Sequence, residues 1–463
     1  TVWREGGQHQ GLGLRVAVCD GAKKRGVPSP RRKQFLLLFR VLETFRRPGK
    51  PRLVWIRTNW EREMNCSKVA MRVCGPVLGR RMMASTRAKV AVTSQRALVK
   101  EMNELTLLGK SVNELEKIAE DVLGEKKFRG KQIYQHLVRG VEHIDDMTSL
   151  SKDFRSRLKD EGYVVGRSRV HSKKVSKDGT TKLLLELSDG QIVECVGIPV
   201  DDANKDRLTV CVSSQVGCAM ACTFCATGKM GFSRDLTAGE IVDQVFHIQE
   251  CFEGQRVSNI VYMGMGEPMM NLSNVVASEQ FLNKGLAVGA RHITISTVGV
   301  PNTIRRLAEH KLQIILAISL HAPNQKLREE LIPTAKAYPL HEIMKDCVHY
   351  FNETGRRISF EYILIADKND SLDDAKELAE LLQSHGNEMM QSHVNLIPWN
   401  AIDDSDFKRP SRNRVMAFMR ALKRAGVNSV SVRRARGSEE GAACGQLRNN
   451  LKKTELQKKL SVS

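Results

Sequence analysis

The apolar positions along the chain change their spacing twice. Between about 103 and 160 they recur every three to four residues. The stretch "SVNELEKIAEDVL" opens behind Ser111 with Glu114 three positions on, the two residues of a capping box. "RGKQIYQHLVRG" and "SLSKDFRSRLKDEG" continue the helical spacing. From about 170 to 200 the pattern becomes that of strands, and "TTKLLLELSDGQIVECVGIPV" reads as a hairpin turning at Ser188, Asp189 and Gly190. Past Cys225, short β-branched runs alternate with helical stretches. The runs are "VSNIVYMGMG", "RHITISTVG", "LQIILAISLHA", "RRISFEYILIA", "HVNLIPWN" and "SVSVRR". Between them lie "TAGEIVDQVFHIQECF", "NTIRRLAEH", "LHEIMKDCVHYFNETG", "SLDDAKELAELLQSHG" and "NRVMAFMRALKRAG". This alternation predicts a parallel α/β structure. The polar ends of the runs, Gly, Ser, His or Asn, fall where a barrel places its site. Residues 1–102 have no clean period and 449–463 are charged. The expected organisation is therefore a basic low-order extension (1–102), a small helical accessory domain (103–170), an α/β domain with a strand lead-in (171–448) and a tail (449–463).

Charge sharpens this division. The 463-residue chain carries a net +21, but residues 1–100 hold 23 Lys and Arg against 5 Asp and Glu, while the other 363 residues hold 50 against 47. The basic balance belongs to the extension, so it is weak evidence that the folded part binds nucleic acid. Three readings of the extension stay open: an Arg-rich organellar transit peptide, a disordered tail, or translated leader preceding a start at Met64, Met71, Met82 or Met83. The folded part is expected in the cytoplasm, or in a chloroplast or mitochondrion if the extension targets it; low Ser content counts against the plastid type. The longest apolar bursts, such as "QFLLLFRVL" from Gln34, are broken by Arg or Lys and fall short of the roughly 20 residues a bilayer needs, so no membrane partner is expected.

The chain has eleven cysteines, an odd number, and no secretory signal opens it, which favours a reducing compartment and metal or catalytic use of thiols. Four of them crowd into "CVSSQVGCAMACTFC": Cys211, then Cys218, Cys222 and Cys225 as C-x3-C-x2-C. Structural zinc takes four ligands, commonly as two C-x2-C knuckles, and only one such knuckle is present. Three close thiolates suit an iron–sulfur cubane with one iron left open for chemistry.

With Phe224 before its last cysteine, the C-x3-C-x2-C motif resembles the radical S-adenosylmethionine (SAM) superfamily. "SSQVGCAMACTFCATGKMGFSRDLTAGEI", "MGMGEPMMN", "ISTVG", "ISLHAPN", "LREELIP", "VNLIPWN" and "GAACGQL" resemble one branch of it, the RlmN-type RNA adenine C2-methyltransferases, over about residues 103–448. The resemblance implies a partial (β/α)6 TIM-like barrel with a small N-terminal helical domain. It implies one [4Fe-4S] cluster on Cys218, Cys222 and Cys225, and SAM contacts from Gly266, Glu267, Ser296, Ser319, Leu320, His321 and Asn400. It further implies two SAM per turnover, an electron donor such as flavodoxin or ferredoxin, a monomer, and 23S-type rRNA and/or tRNA as partner. RNA contacts are expected from "FRGKQIYQHLVRG" and "SVRRARG".

By the same resemblance Cys444 and Cys211 are a catalytic pair. Cys444 takes a methyl group from one SAM; a radical from a second SAM removes hydrogen from that methyl, and the carbon adds to C2 of adenine. A proton then leaves C2, with Glu194 as its acceptor, and Cys211 attacks Cys444 to free 2-methyladenosine. Adenine C2 is electron-poor, which is the physical reason for a radical route. The chain departs from the family pattern at Ser438, Glu439 and Glu440, where paired Asp is frequent, at Gly197, where an aromatic usually precedes "IP", and in the acidic loop after Asn400. The rival readings are an adenine C8-methyltransferase, a radical SAM enzyme with a non-RNA substrate, and a zinc-binding RNA module without catalysis.

Overall fold

The helix expected behind Ser111 is α1 (Val112–Lys117), and both arms of its capping box form: Ser111 Oγ accepts from Glu114 N at 3.3 Å, and Glu114 Oε2 accepts from Ser111 N at 2.8 Å. The helix widens at once into a π-turn over Ile118–Val122, which a 3.6-residue spacing does not announce. Helices α2 (Phe128–Val138) and α3 (Lys152–Asp160, capped by Ser151) complete the helical part, burying Leu115, Ile133, Leu137, Phe154 and Leu158 fully. The computed structural model describes residues 104–200, 207–386, 389, 391–403 and 405–447, with one antiparallel strand pair, Arg52–Ile56 and Val69–Val73. The expectations for the remainder of 1–102 and for 449–463 lie outside the described residues. Residues 101–463 form one compact unit.

The strand lead-in is an antiparallel meander, β1 (Arg169–Val175), β2 (Thr181–Glu186) and β3 (Ile192–Pro199), turning where expected, with Gly190 N donating to Leu187 O. Strand β3 pairs antiparallel with β4 (Leu208–Cys211). A short antiparallel pair, β5 (Gln215–Gly217) and β6 (Phe232–Asp235), brackets the cysteine motif. Then α4 (Ala238–Glu250), β7 (Val257–Tyr262), α5 (Leu272–Lys284), β8 (Ile293–Thr297), α6 (Thr303–Glu309), β9 (Ile315–Ser319), α7 (Gln325–Leu331) and α8 (Leu340–Thr354) follow. The chain ends its described part with β10 (Ile358–Leu364), α9 (Leu372–Gln383), β11 (His393–Pro398), α10 (Arg412–Arg424) and β12 (Val430–Val432).

All twelve-strand labels but β5 and β6 join one open sheet in the order β12-β11-β10-β9-β8-β7-β4-β3-β2-β1. Within that sheet every pairing from β4 through β7 to β12 is parallel. The α/β expectation of a partial, unclosed barrel holds. Strand β10 is buried at all seven positions, as a parallel strand covered on both faces requires. Two helices, α5 and α7, escaped the periodicity. "LSNVVASEQFLNK" mixes in Ser and Asn, which compete for backbone hydrogen bonds, and "QKLREEL" is only seven residues long.

The helical part is locked onto α4. Arg167, its side chain 6% exposed, pairs with Asp243 and with Glu250 (2.6 Å) and donates to Gly140 O (2.9 Å); Ser168 N donates to Asp243 Oδ2 at 2.7 Å. Closer still, two backbones touch. A Cβ on Gly109, whose φ is +84°, would lie 2.2 Å from Gly239 N, and one on Gly239 would lie 2.4 Å from Leu108 O.

Candidate active site

The cysteine motif leaves β5 as a loop pinned from three sides: Thr223 N donates to Leu331 O (3.0 Å), Thr334 Oγ1 to Met220 O (3.1 Å) and Trp399 Nε1 to Phe224 O (3.2 Å). Cys218, Cys222 and Cys225 thereby line one cavity of about 130 Å³ at the C-terminal ends of the parallel strands. Burial pushes the Cys218 thiol up to about 12 and Cys222 well above its ordinary value. Cys218 and Cys222, buried thiols that resist ionisation in the bare protein, are what a bound metal centre would deprotonate. Among the described residues no three His, Cys, Asp or Glu side chains are arranged to hold a single metal ion. The donor set and the room around it fit a sulfur-bridged cluster.

Gly266, Glu267, Ser296, Ser319 and His321 line the same cavity. Gly266 has φ +104°, and a Cβ there would come within 2.6 Å of Gln215 Cβ, so only glycine fits. Glu267 is 2% exposed; its carboxylate accepts from Met269 N (3.0 Å) and Val298 N (2.9 Å). Desolvation raises its pKa, and those backbone donors oppose the rise. Ser296 Oγ and Ser319 Oγ are 3.1 Å apart. His321 is held at φ +62°, where Asn369 Nδ2 donates to its carbonyl at 2.8 Å. Its Nδ1 accepts from Ile363 N at 3.0 Å, and its ring meets Phe224 edge-on. Burial and two neighbouring guanidinium groups, Arg328 and Arg433, hold His321 down to about 3, so it is a neutral ring. Leu320 is fully buried and outside the cavity lining; its backbone alone reaches the site's frame.

A second cavity, of about 440 Å³, holds Cys211 at the end of β4 together with Asn400 and Cys444. Asn400 is thus placed with the thiol pair rather than in the smaller cavity, and its Nδ2 donates to Cys444 O at 3.2 Å. Cys444 lines both cavities, as do Met263, Ile397, Arg433 and Leu447. The chain folds so that two of the expected site groups meet at the Cys444 sulfur: the cluster thiols line the cavity on one side, and Cys211 lines the cavity on the other. Glu194 lies on β3 behind the larger cavity: 1% exposed and outside both linings, it pairs at 3.7 Å with Lys182, whose Nζ donates to Gly441 O beside the lining residue Ala442.

Several residues here escaped the sequence reading. Arg328 is fully buried and donates to Ser319 O (3.0 Å), Leu320 O and Val298 O, tying together the ends of β8 and β9. Burial lowers it to about 10. Arg433, expected as a phosphate contact, is paired with Glu361 (2.8 Å), whose carboxylate also accepts from Asn395 Nδ2 (2.8 Å) and Ser359 Oγ (2.9 Å). A lone acid in the apolar run "ISFEYIL" was the one signal of that network. Arg433 lines both cavities with Cys444, and its positive charge favours the Cys444 thiolate.

The Cys444 side chain is exposed, yet the space it faces is the cavity interior. Desolvation therefore raises its pKa, and Arg433 pulls it back down. Since the thiolate is the nucleophile, Arg433→Gln is expected to move the methylation of Cys444 to higher pH and to slow it near neutrality. An unshifted pH profile, followed by intact-protein mass, would show that Arg433 does not act on the sulfur.

Gly197, where an aromatic was expected, is accounted for by its neighbours. A Cβ there would lie 2.6 Å from Ile248 Cγ2 and 2.7 Å from Phe252 Cε2. The Phe252 ring, from just beyond α4, fills the space.

Residues 212–382 match the radical SAM superfamily and residues 105–164 match the ribosomal RNA large subunit methyltransferase N-terminal domain. The chain is 50% identical over 356 residues to "Probable dual-specificity RNA methyltransferase RlmN" of Prochlorococcus marinus, covering 75% of this chain and 97% of that protein. It is 51% identical over 343 residues to the protein of the same name from Nostoc sp., covering 74% and 93%. Among solved structures, a radical SAM methyltransferase from Sphaerobacter thermophilus superposes with TM-score 0.69 at 41% identity, covering 74% of this chain and 99% of that one.

Proposed function

This chain belongs to the RlmN family of radical SAM RNA methyltransferases, and we propose that within it the chain methylates C2 of adenine in large-subunit rRNA and tRNA through a methylated Cys444 that Cys211 resolves. The observation that carries the reading is the position of Cys444, a sulfur lining both the cavity of the cluster thiols and the cavity of Cys211.

Cys218, Cys222 and Cys225 hold the cluster, which when bound supplies the electron that splits a carbon–sulfur bond of SAM. Glu267, with both oxygens already turned by backbone N–H groups, presents a fixed carboxylate to the SAM amino group. Ser296, Ser319 and neutral His321 are hydrogen-bonding partners along the same wall. The Cys444 thiolate, favoured by Arg433, attacks the methyl carbon of SAM and becomes a thioether, with S-adenosylhomocysteine leaving. After that methyl loses a hydrogen atom, its carbon bonds to adenine C2 in the larger cavity. Glu194 accepts the C2 proton. Cys211 gives up its thiol proton as its Sγ bonds to Cys444 Sγ, and the bond from Cys444 Sγ to the transferred carbon breaks. That carbon takes up a proton to become the methyl group of the freed base, and the one surplus electron of the adduct would return to the oxidised cluster that supplied the first.

Digestion of the treated RNA and chromatography of its nucleosides tests this directly. The expected product is 2-methyladenosine, in rRNA and tRNA transcripts alike; 8-methyladenosine as sole product would refute the reading, and unmodified tRNA would confine it to rRNA.

A further inference from the structure

One buried cation in this region has no part in the reaction as described. Lys182 lies on β2 with its side chain 9% exposed. An ammonium at such a position is costly unless it is paired and hydrogen-bonded. Two groups face its Nζ: Glu194 Oε1 at 3.7 Å and Gly441 O at 3.1 Å. Gly441 is three residues before Cys444, and its φ of +62° turns the loop at that point; a Cβ there would lie 3.4 Å from Nζ. The strand register sets the rest. Lys182 pairs with Val196 on β3, and Val196 pairs with Cys211 on β4, so Lys182, Val196 and Cys211 stand in a row on one face of the sheet. Glu194, two residues from Val196 on β3, shares that face. A buried carboxylate with no cation beside it takes up a proton and ceases to be a base.

We propose that Lys182 is a positioning residue for the second half of the reaction: its ammonium keeps the Glu194 carboxylate charged and ties it, through the Gly441 carbonyl, to the loop that carries Cys444. The inference rests on the function proposed above. In the step it serves, the C2–H bond of the adduct breaks, the proton passes to Glu194, and the bonding electrons stay with the adduct; no further reagent is required. The first half of the reaction does not depend on Lys182. The loop is held toward the cluster side by other bonds, from Ala226 N to Gly445 O (2.8 Å) and from Thr227 Oγ1 to Leu447 O (2.7 Å).

The test compares the reconstituted holoenzyme with Lys182→Gln and Lys182→Arg, using SAM and an rRNA transcript. In Lys182→Gln, methylated Cys444 is expected to form as in the unaltered enzyme. Release of 2-methyladenosine falls about 100-fold, the scale of a lost proton acceptor, and RNA-linked protein accumulates. Deuterium at adenine C2 slows the variant further, and Lys182→Arg recovers most of the loss. Without cluster or SAM, amide exchange of residues 437–447 rises in Lys182→Gln. The proposal is overturned if Cys444 methylation falls in step with product, if no RNA-linked protein accumulates, or if C2 deuterium has no effect. A Lys182→Gln protein that does not fold leaves the decision to Lys182→Arg, where full loss of activity would count against the role. Failure of the underlying reading looks different: the unaltered enzyme would make product with no methyl on Cys444.

Discussion

Cys211→Ala halts the reaction with RNA attached to the protein, whereas Cys444→Ala halts it before any methyl group leaves SAM. Both variants are expected to release 2-methyladenosine at background level, and they separate on a denaturing gel. The first gives a protein–RNA adduct; the second gives none and shows no methylated cysteine by mass. The split follows from placement. Cys211 lines only the larger cavity, while Cys444 lines both. It also follows from ionisation. Burial, with the neighbouring Cys444 sulfur, pushes the Cys211 thiol up to about 12, so at neutral pH it stays protonated and is a poor competitor for the methyl group of SAM. The charge of Arg433 instead favours the Cys444 thiolate. If Cys211→Ala released product at the rate of the unaltered protein, the disulfide step would be wrong.

Arg328→Met is expected to cost about 2 kcal/mol or more, because the buried carbonyl of Leu320 and the part-buried carbonyls of Val298 and Ser319 lose a donor at once, and an orphaned buried acceptor costs roughly 1–3 kcal/mol. Relief of burying a charge offsets part of this, but the Leu320 carbonyl stays buried whatever replaces the guanidinium. Denaturant unfolding of the cluster-free protein measures it. A midpoint equal to that of the unaltered protein would mean the strand ends find other donors. The same change loosens Ser319 and His321, so SAM binding falls with stability.

The α/β order was legible because six β-branched runs are each followed or preceded by a helical period, and all six became parallel strands. The cap at Ser111 was legible because a capping box is written in two residues three apart. What stayed hidden depended on burial. Arg328 in "LREELIP" and Lys182 in "TTKLLLEL" were not singled out, since a charged residue is seldom buried and nothing local reports carbonyl partners up to 30 residues back in one case and a carboxylate across a strand pair in the other. Glu194 entered only through the resemblance, as the proton acceptor, and nothing in its spacing reports the 1% exposure or the Lys182 partner that the structure gives it. Asn400 was assigned to SAM from its motif. Its hydrogen bond to the Cys444 carbonyl, and another from Arg409 Nη1 to its Oδ1 at 2.8 Å, are long-range facts that the motif does not carry. The cluster cysteines were visible because C-x3-C-x2-C is short enough to be read in one loop.

The backbone contact between Gly109 and Gly239 bears on how such a chain can be inherited. Each glycine is tolerable only because the other segment presents bare backbone to it. A side chain at either position pushes the helical part off α4, and no compensating substitution at the partner position can make room, since glycine is already the smallest residue. The two segments, separated by about 130 residues, are therefore bound to one another's history: a graft of this helical part onto another radical SAM barrel would have to find a glycine waiting at the start of the first helix after the cluster loop.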